Sequence, residues 1–376
     1  MPIAAPVIVY TGHMFEQRGA EEPALARRVA EALDRLGASE AFGPLACGGD
    51  ILIAESMLAR GAALHVVLPF AERDFVKQSV LCGGEDWLAR YKVCRAAAAS
   101  LHFSTPGAYV EDDYQFAYAT RLAMGLAALR ARETGGEAVQ FAIHAPDAAS
   151  FSRTGLAGTA ADTRAWEQLG KRTVTVHPGL VGRNLCFPPR LPALGKATRE
   201  VRSILFADYK GFSALGEREL PLLMHKVMGR IAEVLDPFGE AVEFRNTWGD
   251  ALYAIVNRPE VAARMALALQ QRLAILPKAL APAGTEAGMR IGLHYGPIWR
   301  GTDRVTGMPL WYGGEVNRTA RIEPVTPVGG VYCTETFAAA LLLEGSDCHF
   351  VPIGHRPLAK GFGEVALYRL ESRNGA

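Results

Sequence analysis

Almost no net charge survives when 40 Lys and Arg are set against 39 Asp and Glu; the formal balance is +1. Charged residues make up 21% of the chain, and no field of one sign favours nucleic acid or an anionic membrane. Any anionic ligand must therefore be held by a local site. No apolar run approaches the roughly 18 residues of a membrane span, and the N-terminus lacks the basic-then-apolar layout of a signal peptide. The six cysteines (Cys47, Cys82, Cys94, Cys186, Cys333, Cys348) are scattered and none forms a CxxC pair. A reduced, cytoplasmic protein with no nucleic acid or membrane partner is the expectation.

What is present is length and alternation. The 376 residues suffice for two domains with substantial cores. Over residues 1–178, apolar strand-like runs at Pro6–Thr11, Ala63–Phe70, Ser100–Ser104, Glu137–His144 and Arg172–His177 alternate with helical patterns at Glu22–Leu36, Asp50–Arg60 and Tyr114–Ala131. That order predicts an α/β, Rossmann-like domain with a covered parallel sheet and ligands beyond the carboxyl ends of its strands. Three glycine loops fall at such ends: Thr11-Gly12-His13, Cys47-Gly48-Gly49-Asp50 and Gly155-Leu-Ala-Gly158-Thr159. Each would let backbone N–H groups approach a phosphate, or would simply make a turn. His13 is either a ligand contact or a solvated loop residue. Gly48-Gly49-Asp50-Ile51-Leu52 with Glu55, and the Gly158-Thr159 turn opening a helix, resemble the nucleotide-sensing domains called SLOG. A competing reading of this half is a hydrolase or glycosidase acting on nucleotides, for which Glu55 is the one candidate acid.

Residues 179–199, with Pro188, Pro189, Pro192 and several glycines, read as a linker. From 200 to 376 the order changes. A strand at Arg202–Ala207 leads to a helix with apolar positions from Leu222 to Leu235. A hairpin follows, then a helix at Pro259–Leu276, a strand at Met289–Gly296 and a short helix at Glu315–Ile322. Strand Gly330–Thr334, helix Glu335–Leu343 and two closing strands complete it. An α+β domain with an antiparallel or mixed sheet is expected.

Two acids anchor this second half. Arg202-Ser-Ile-Leu-Phe-Ala-Asp208-Tyr209-Lys210-Gly211-Phe212-Ser213 reads as a strand ending in an acid, a glycine turn and a helix opening at Ser213. Ala241-Val-Glu-Phe-Arg245-Asn246-Thr-Trp248-Gly-Asp250 reads as one arm of a hairpin with an acid just past its turn. Each aspartate alone suits a cap or a turn. Together they suit a pair of hard divalent cations, Mg²⁺ or Mn²⁺, about 4 Å apart. The helix opening offers free N–H groups to phosphate oxygens. In a helix, Asn317 and Arg321 stand at i and i+4, so an amide and a guanidinium share one face.

These segments, with Arg290-Ile-Gly-Leu-His-Tyr-Gly-Pro297 and Ala359-Lys360-Gly361-Phe362, resemble the catalytic domain of class III nucleotidyl cyclases over residues 200–371. The resemblance implies a ferredoxin-like fold and a homodimer with two sites at the interface. One subunit would supply the metal aspartates, with Tyr209 beside them and Lys210, Gly211 and Phe212 near the phosphates. The other would supply Asn317, Arg321, the base-reading residues and a triphosphate lysine, Lys360. The reaction implied is attack of a ribose 3′-oxygen on the α-phosphorus with release of pyrophosphate.

At the base-reading positions the chain departs from the purine enzymes. Asn246 stands where adenylyl cyclases usually carry lysine and guanylyl cyclases glutamate; Leu310 stands where they place aspartate, threonine or cysteine. Trp248, Trp311 and Tyr312 are expected to crowd the pocket, and Arg245, if it points inward, to favour uracil. A carboxamide offers both a donor and an acceptor, which suits uracil one way round and cytosine the other. The expectation is UTP as substrate and cyclic UMP as product, in a protein similar to the pyrimidine cyclases of bacterial antiphage (Pycsar) systems. A bacterial adenylate cyclase and a silent nucleotide sensor are the alternatives.

Overall fold

The computed structural model describes residues 4–16, 21–145, 155–179, 199–211, 215–274, 288–346 and 348–372. The chain divides into two units, Met1–Lys196 and Ala197–Ala376. Most of the expected linker lies outside the described residues, as do Phe212, Ser213 and Leu276.

The first unit is strand-helix alternation carried through. Its elements are β1 (Val7–Gly12), α1 (Glu21–Leu36), β2 (Glu40–Gly43), α2 (Gly49–Ala59), β3 (Ala63–Leu68) and α3 (Glu72–Phe75). Then come α4 (Glu85–Ala97), β4 (Ser100–Phe103), α5 (Asp113–Thr134), β5 (Ala138–Ile143), α6 (Thr159–Glu167) and β6 (Thr173–Val176). All six strands pair in parallel, in the order β4-β3-β2-β1-β5-β6. Parallel strands need crossovers, and helices supply them. β1 and β5 are buried at every residue, as befits central strands covered on both faces. The strand order reverses between them, so their carboxyl ends form the switch point of the sheet.

Local chemistry explains the element ends. The Asp112 side chain accepts from Tyr114 N to start α5, and Gly135, at φ 71°, closes it in the left-handed conformation. β2, the four residues Glu-Ala-Phe-Gly, carries no alternation, and the stripe of α4, Trp87, Tyr91 and Cys94, is three residues in an otherwise mixed segment, so neither element stands out in the sequence.

The second unit holds β7 (Arg199–Lys210), a helical run from α7 (Leu220–Leu223) through a π-turn (Met224–Met228) into α8 (Gly229–Leu235), and the hairpin β8 (Val242–Trp248) and β9 (Ala251–Val256). α9 (Pro259–Leu273), β10 (Gly288–Thr302), β11 (Pro309–Tyr312), α10 (Gly314–Thr319), β12 (Val331–Thr334), α11 (Glu335–Leu343), β13 (His349–Pro357) and β14 (Glu364–Glu371) follow. The sheet runs β13-β14-β12-β10-β7-β9-β8, with β11 paired to β10; every pair is antiparallel except β10 with β12. Its β7-α-β8-β9-α9-β10 part, ordered β10-β7-β9-β8, has the ferredoxin-like pattern.

The expected helix opening at Ser213 is corrected. Residues 215 and 216 are not helical and the first helix begins at Leu220, so no helix N-terminus lies directly behind the first acid within the described residues. Arg218 and Glu219 continue a turn instead, in which Glu219 N donates to Gly216 O.

At the switch point, a Cβ added to Gly12 would lie 2.6 Å from Gly49 Cα and 2.7 Å from its carbonyl carbon, both backbone atoms that cannot swing away. Gly12→Ala should therefore destabilise the first unit by about 1–3 kcal/mol. Gly107→Ala, which meets nothing within 4 Å, is the control. Urea unfolding that shows equal stability for the two variants would refute this packing.

Candidate active site

Twelve residue pairs zip β7 to β10, from Lys210 opposite Gly288 to Arg199 opposite Trp299, and this register sets Arg290 against Asp208. Arg290 Nη2 donates to Asp208 Oδ2 at 2.5 Å, and its Nε lies 2.7 Å from Glu323 Oε1. On the other side, β7 pairs with β9 up to Ala207 opposite Leu252. The β8–β9 hairpin turns through Gly249 (φ 62°) and Asp250, with Trp248 opposite Ala251. Asp250 is thereby brought near enough to Asp208 for the two carboxylate charges to act on each other. Burial and then the Asp208 charge push Asp250 up to about 6, against a smaller pull from Arg290. Glu323 is pushed up to about 7 by burial, with Asp208 and Asp250 adding to it and Arg290 opposing. Three acids thus share one guanidinium.

Such a pair fits a hard divalent ion: it offers only oxygen donors, and its like-charge repulsion is relieved by a cation. Among the described residues no group of three or more His, Cys, Asp or Glu is arranged to hold a metal. A cation between Asp208 and Asp250 would draw its other donors from the main chain, water or a ligand. Tyr209 is buried on its strand, with a phenol that burial raises. Lys210 is exposed at the strand end, Gly211 turns the chain at φ 106°, and Phe212 lies outside the described residues.

Asn317 is exposed on α10, whereas Arg321 is half-buried in the turn beyond it. The helix is shorter than Glu315–Ile322; it ends at Thr319. Six residues cannot hold a helix alone, so anchors must. At one end Glu315 Oε2 lies 2.8 Å from His294 Nε2 on β10, both buried, with Arg318 Nε 3.3 Å from the same carboxylate oxygen. Burial holds the His294 imidazole down. For Glu315 burial pulls upward, but His294 and Arg318 outweigh it and keep the carboxylate ionised. At the other end, Ile322 and the Glu323 main chain sit so close to Gly292 that a Cβ there would lie 3.0 Å from Glu323 N.

Lys360 adopts φ 60°, ψ 34° between Ala359 and Gly361, a conformation that costs a non-glycine residue on the order of 1 kcal/mol and often marks a functional loop. The loop is closed by Leu358 N donating to Gly363 O at 2.8 Å.

The base-reading residues divide. Arg245 is turned away onto Asp236, 2.6 Å from its carboxylate, so its conditional help to uracil falls away. Asn246 is exposed, and its Oδ1 accepts from Thr247 N at 2.9 Å, which leaves the amide N–H₂ without a partner in that contact. Leu310 is half-buried opposite Gly301. Crowding by Trp311 is corrected: it lies in a core cluster with Ile204, Ile255 and Ile298, because β11 folds it under β10. Trp248, at 90% exposed on the hairpin tip, and the exposed Tyr312 do not pack around a pocket within this chain.

In the first unit the first two glycine loops meet, and α6, which the third opens, is tied to β1. Gly49 N donates to His13 O at 2.8 Å, and Thr11 Oγ1 donates to Asp162 Oδ2 of α6 at 2.9 Å. The Gly48 and Gly158 caps of α2 and α6 carry no side-chain cap, and Thr159 opens α6 buried. Asp50 is buried with Oδ2 accepting from Ala46 N; burial, with Asp162 nearby, holds its carboxyl well above the usual range. His13 is not solvated: it is buried, its Nε2 accepts from Ala145 N at 3.0 Å, and burial lowers its pKa. Glu55 is bound bidentately by Arg90 at 2.7 and 2.6 Å, and Arg90 also reaches Glu22. That ion pair ties α2 to α4 and occupies the acid a hydrolase would need.

Residues 196–372 match the family described as the adenylate and guanylate cyclase catalytic domain. That segment is similar in sequence to a cyclase-type catalytic domain. Similar solved structures include the guanylate cyclase domain of RhGC from Catenaria anguillulae in complex with GTP, at 19% identity over 47% of this chain and 100% of that one, TM-score 0.40. The adenylyl cyclase CyaB from P. aeruginosa shares 17% identity over 48% of this chain and 99% of its own, TM-score 0.40. A Trypanosoma brucei adenylate cyclase in its monomeric state shares 21% over 46% and 91%, TM-score 0.39. No curated protein matches the chain.

Sequence reasoning passed over Arg290 as a residue with a role, and missed Glu323 and the His294–Glu315 contact. Only strand register brings these together. Two outcomes follow for the second unit. Asp250→Asn removes the repulsion with Asp208, so without metal near pH 7 its melting temperature should match or exceed wild type by about 2–4 °C; a clear fall would contradict the paired-acid geometry. Glu315→Ala strands buried polar groups and should cost about 3 kcal/mol in urea unfolding, whereas no loss would remove Glu315 as the anchor of α10.

Proposed function

We propose that this protein converts a nucleoside triphosphate, UTP, into the 3′,5′-cyclic nucleotide and pyrophosphate. The observation that carries the reading is the approach of Asp250, in the β8–β9 turn, to Asp208 on β7, close enough for the two charges to act on each other. In the reaction the ribose 3′-oxygen attacks the α-phosphorus, the bond from that phosphorus to the bridging oxygen breaks, and pyrophosphate leaves with the electron pair. The 3′-hydroxyl proton passes to solvent. Mg²⁺ or Mn²⁺ bound by the two aspartates, a pair of ions per site, would stabilise the 3′-alkoxide and the charge on the departing phosphate oxygens. The chain's own groups do the positioning, which dominates phosphoryl transfer. Lys360 holds the triphosphate from its strained loop. Asn317 orients the ribose, and Arg321 neutralises the charge that develops on the α-phosphate.

Those last groups act from a second copy of the chain, in a homodimer with sites at its interface. Large exposed apolar residues support that surface: Trp248 at 90%, Val305 at 94% and Met308 at 62% stand on hairpins of the cyclase-type domain, where a partner would cover them.

Uracil is supported by Asn246. With one lone pair of its oxygen taken by Thr247 N, the carboxamide presents a donor. Uracil and guanine place an acceptor at the exocyclic position that faces it, whereas cytosine and adenine place an amine there. The second lone pair of Asn246 Oδ1 can accept from uracil N3–H or guanine N1–H, but guanine's N2–H₂ needs a further acceptor that neither the Asn246 nor the Leu310 side chain provides. The first unit acts as a sensor, and the cyclic nucleotide as a messenger in antiphage defence.

Incubation with each of the four triphosphates and Mn²⁺, with products identified by mass, tests the reading. Cyclic UMP with pyrophosphate is expected; cyclic AMP as main product would make this an adenylate cyclase, and no turnover a silent sensor. Asp208→Ala should lower turnover by at least about a thousandfold, the scale of a lost charge-stabilising group. Asn246→Lys should shift preference toward ATP, and an unchanged ranking would take Asn246 out of base recognition.

A further inference from the structure

Two cysteines far apart in sequence meet beside the glycine loop of the first unit. Cys47 Sγ and Cys82 Sγ are 3.7 Å apart. The segments carrying them run against each other: Cys47 N donates to Ser79 O at 2.8 Å, and Gly83 is wedged so tightly that a Cβ there would lie 2.8 Å from Cys47 Cβ and 2.7 Å from the Trp87 ring. Cys47 is buried, whereas Cys82 is half-exposed. Cys82 sits in a 3₁₀ turn, Leu81–Gly83, directly after a π-helical turn, Val76–Val80. Irregular helix of this kind shifts at lower cost than a regular one. Closing the gap to a bond of about 2.0 Å needs a displacement of under about 2 Å.

We propose that Cys47 and Cys82 are a reversible disulfide site, oxidised by a peroxide. The Cys82 thiolate attacks one peroxide oxygen, the O–O bond breaks, and hydroxide leaves to become water, giving a sulfenic acid. The Cys47 sulfur then attacks Cys82; the S–S bond forms, the S–O bond breaks, and hydroxide takes the Cys47 proton as a second water. Two thiols and one hydrogen peroxide give one disulfide and two waters. The geometry assigns Cys82 the first step because solvent reaches it, and Cys47 the second because it is already in contact. Cys94, in contrast, is buried on α4 with its thiol pushed up to about 12, and stays a thiol.

The bond would have a defined effect. Cys47 immediately precedes Gly48, whose loop packs on Gly12 and His13. The crosslink pins that loop to the chain ahead of α4 and closes a loop of intermediate length, which restricts the unfolded chain. It does not depend on the cyclase reading.

The test uses the full-length purified protein treated with one equivalent of hydrogen peroxide, then alkylated, digested without reductant and mapped by mass spectrometry. A Cys47–Cys82 crosslinked peptide is expected, with two fewer titratable thiols, a melting transition of the first unit raised by several degrees, and full reversal by dithiothreitol. Cys82→Ser should unfold like the reduced wild type and show neither crosslink nor shift. Cys82 recovered as sulfinic acid without a crosslink, a disulfide mapped only to other cysteines, or both thiols intact after treatment would each overturn the proposal.

Discussion

One antiparallel ladder governs the second unit. The long pairing of β7 with β10 leaves no freedom in which residue faces Asp208, and it faces Arg290. A guanidinium among Asp208, Asp250 and Glu323 keeps a group of acids tolerable in the absence of cations. The same arrangement leaves the aspartate pair undersupplied with positive charge, since one cation serves three carboxyls. Stability and affinity for divalent ions are thus in tension at one spot, as at many sites built to react.

Much of this architecture was visible in the residues. Strands β1, β3, β4, β5 and β6 and helices α1, α2 and α5 announced themselves by alternation and length, and α11 fell on its expected bounds. The two acids and their hairpin were readable because glycine and aspartate mark turns by their own backbone chemistry. What stayed hidden depends on register or on burial. Trp311 reads like Tyr312 in sequence, yet neighbours on a strand point to opposite faces, so one is core and the other exposed. Arg245 and Asn246 separate by the same rule. The π-turn at Met224–Met228 could not be read either, because an extra residue in a helical turn leaves the apolar pattern nearly intact.

The first unit shows how one motif serves two demands. Its paired glycines lie where ligands approach parallel sheets, and they also let Gly12 and Gly49 pass at backbone contact. His13 and Asp50 are drawn inward by hydrogen bonds to Ala145 and Ala46. Glycine spacing alone does not separate loop packing from ligand cradling, because both require a missing Cβ. Glu55 illustrates the point from the side of charge, since only the fold reveals that Arg90 already holds it.

The β8–β9 connection has a consequence for how this chain can vary. Its turn contains two residues, and the second of them is Asp250. Point changes along the hairpin alter side chains one at a time and leave that aspartate where it is. A single added residue would instead invert the facing of one arm or bulge it, carrying Asp250 away from Asp208. This stretch is therefore open to substitution and closed to change in length.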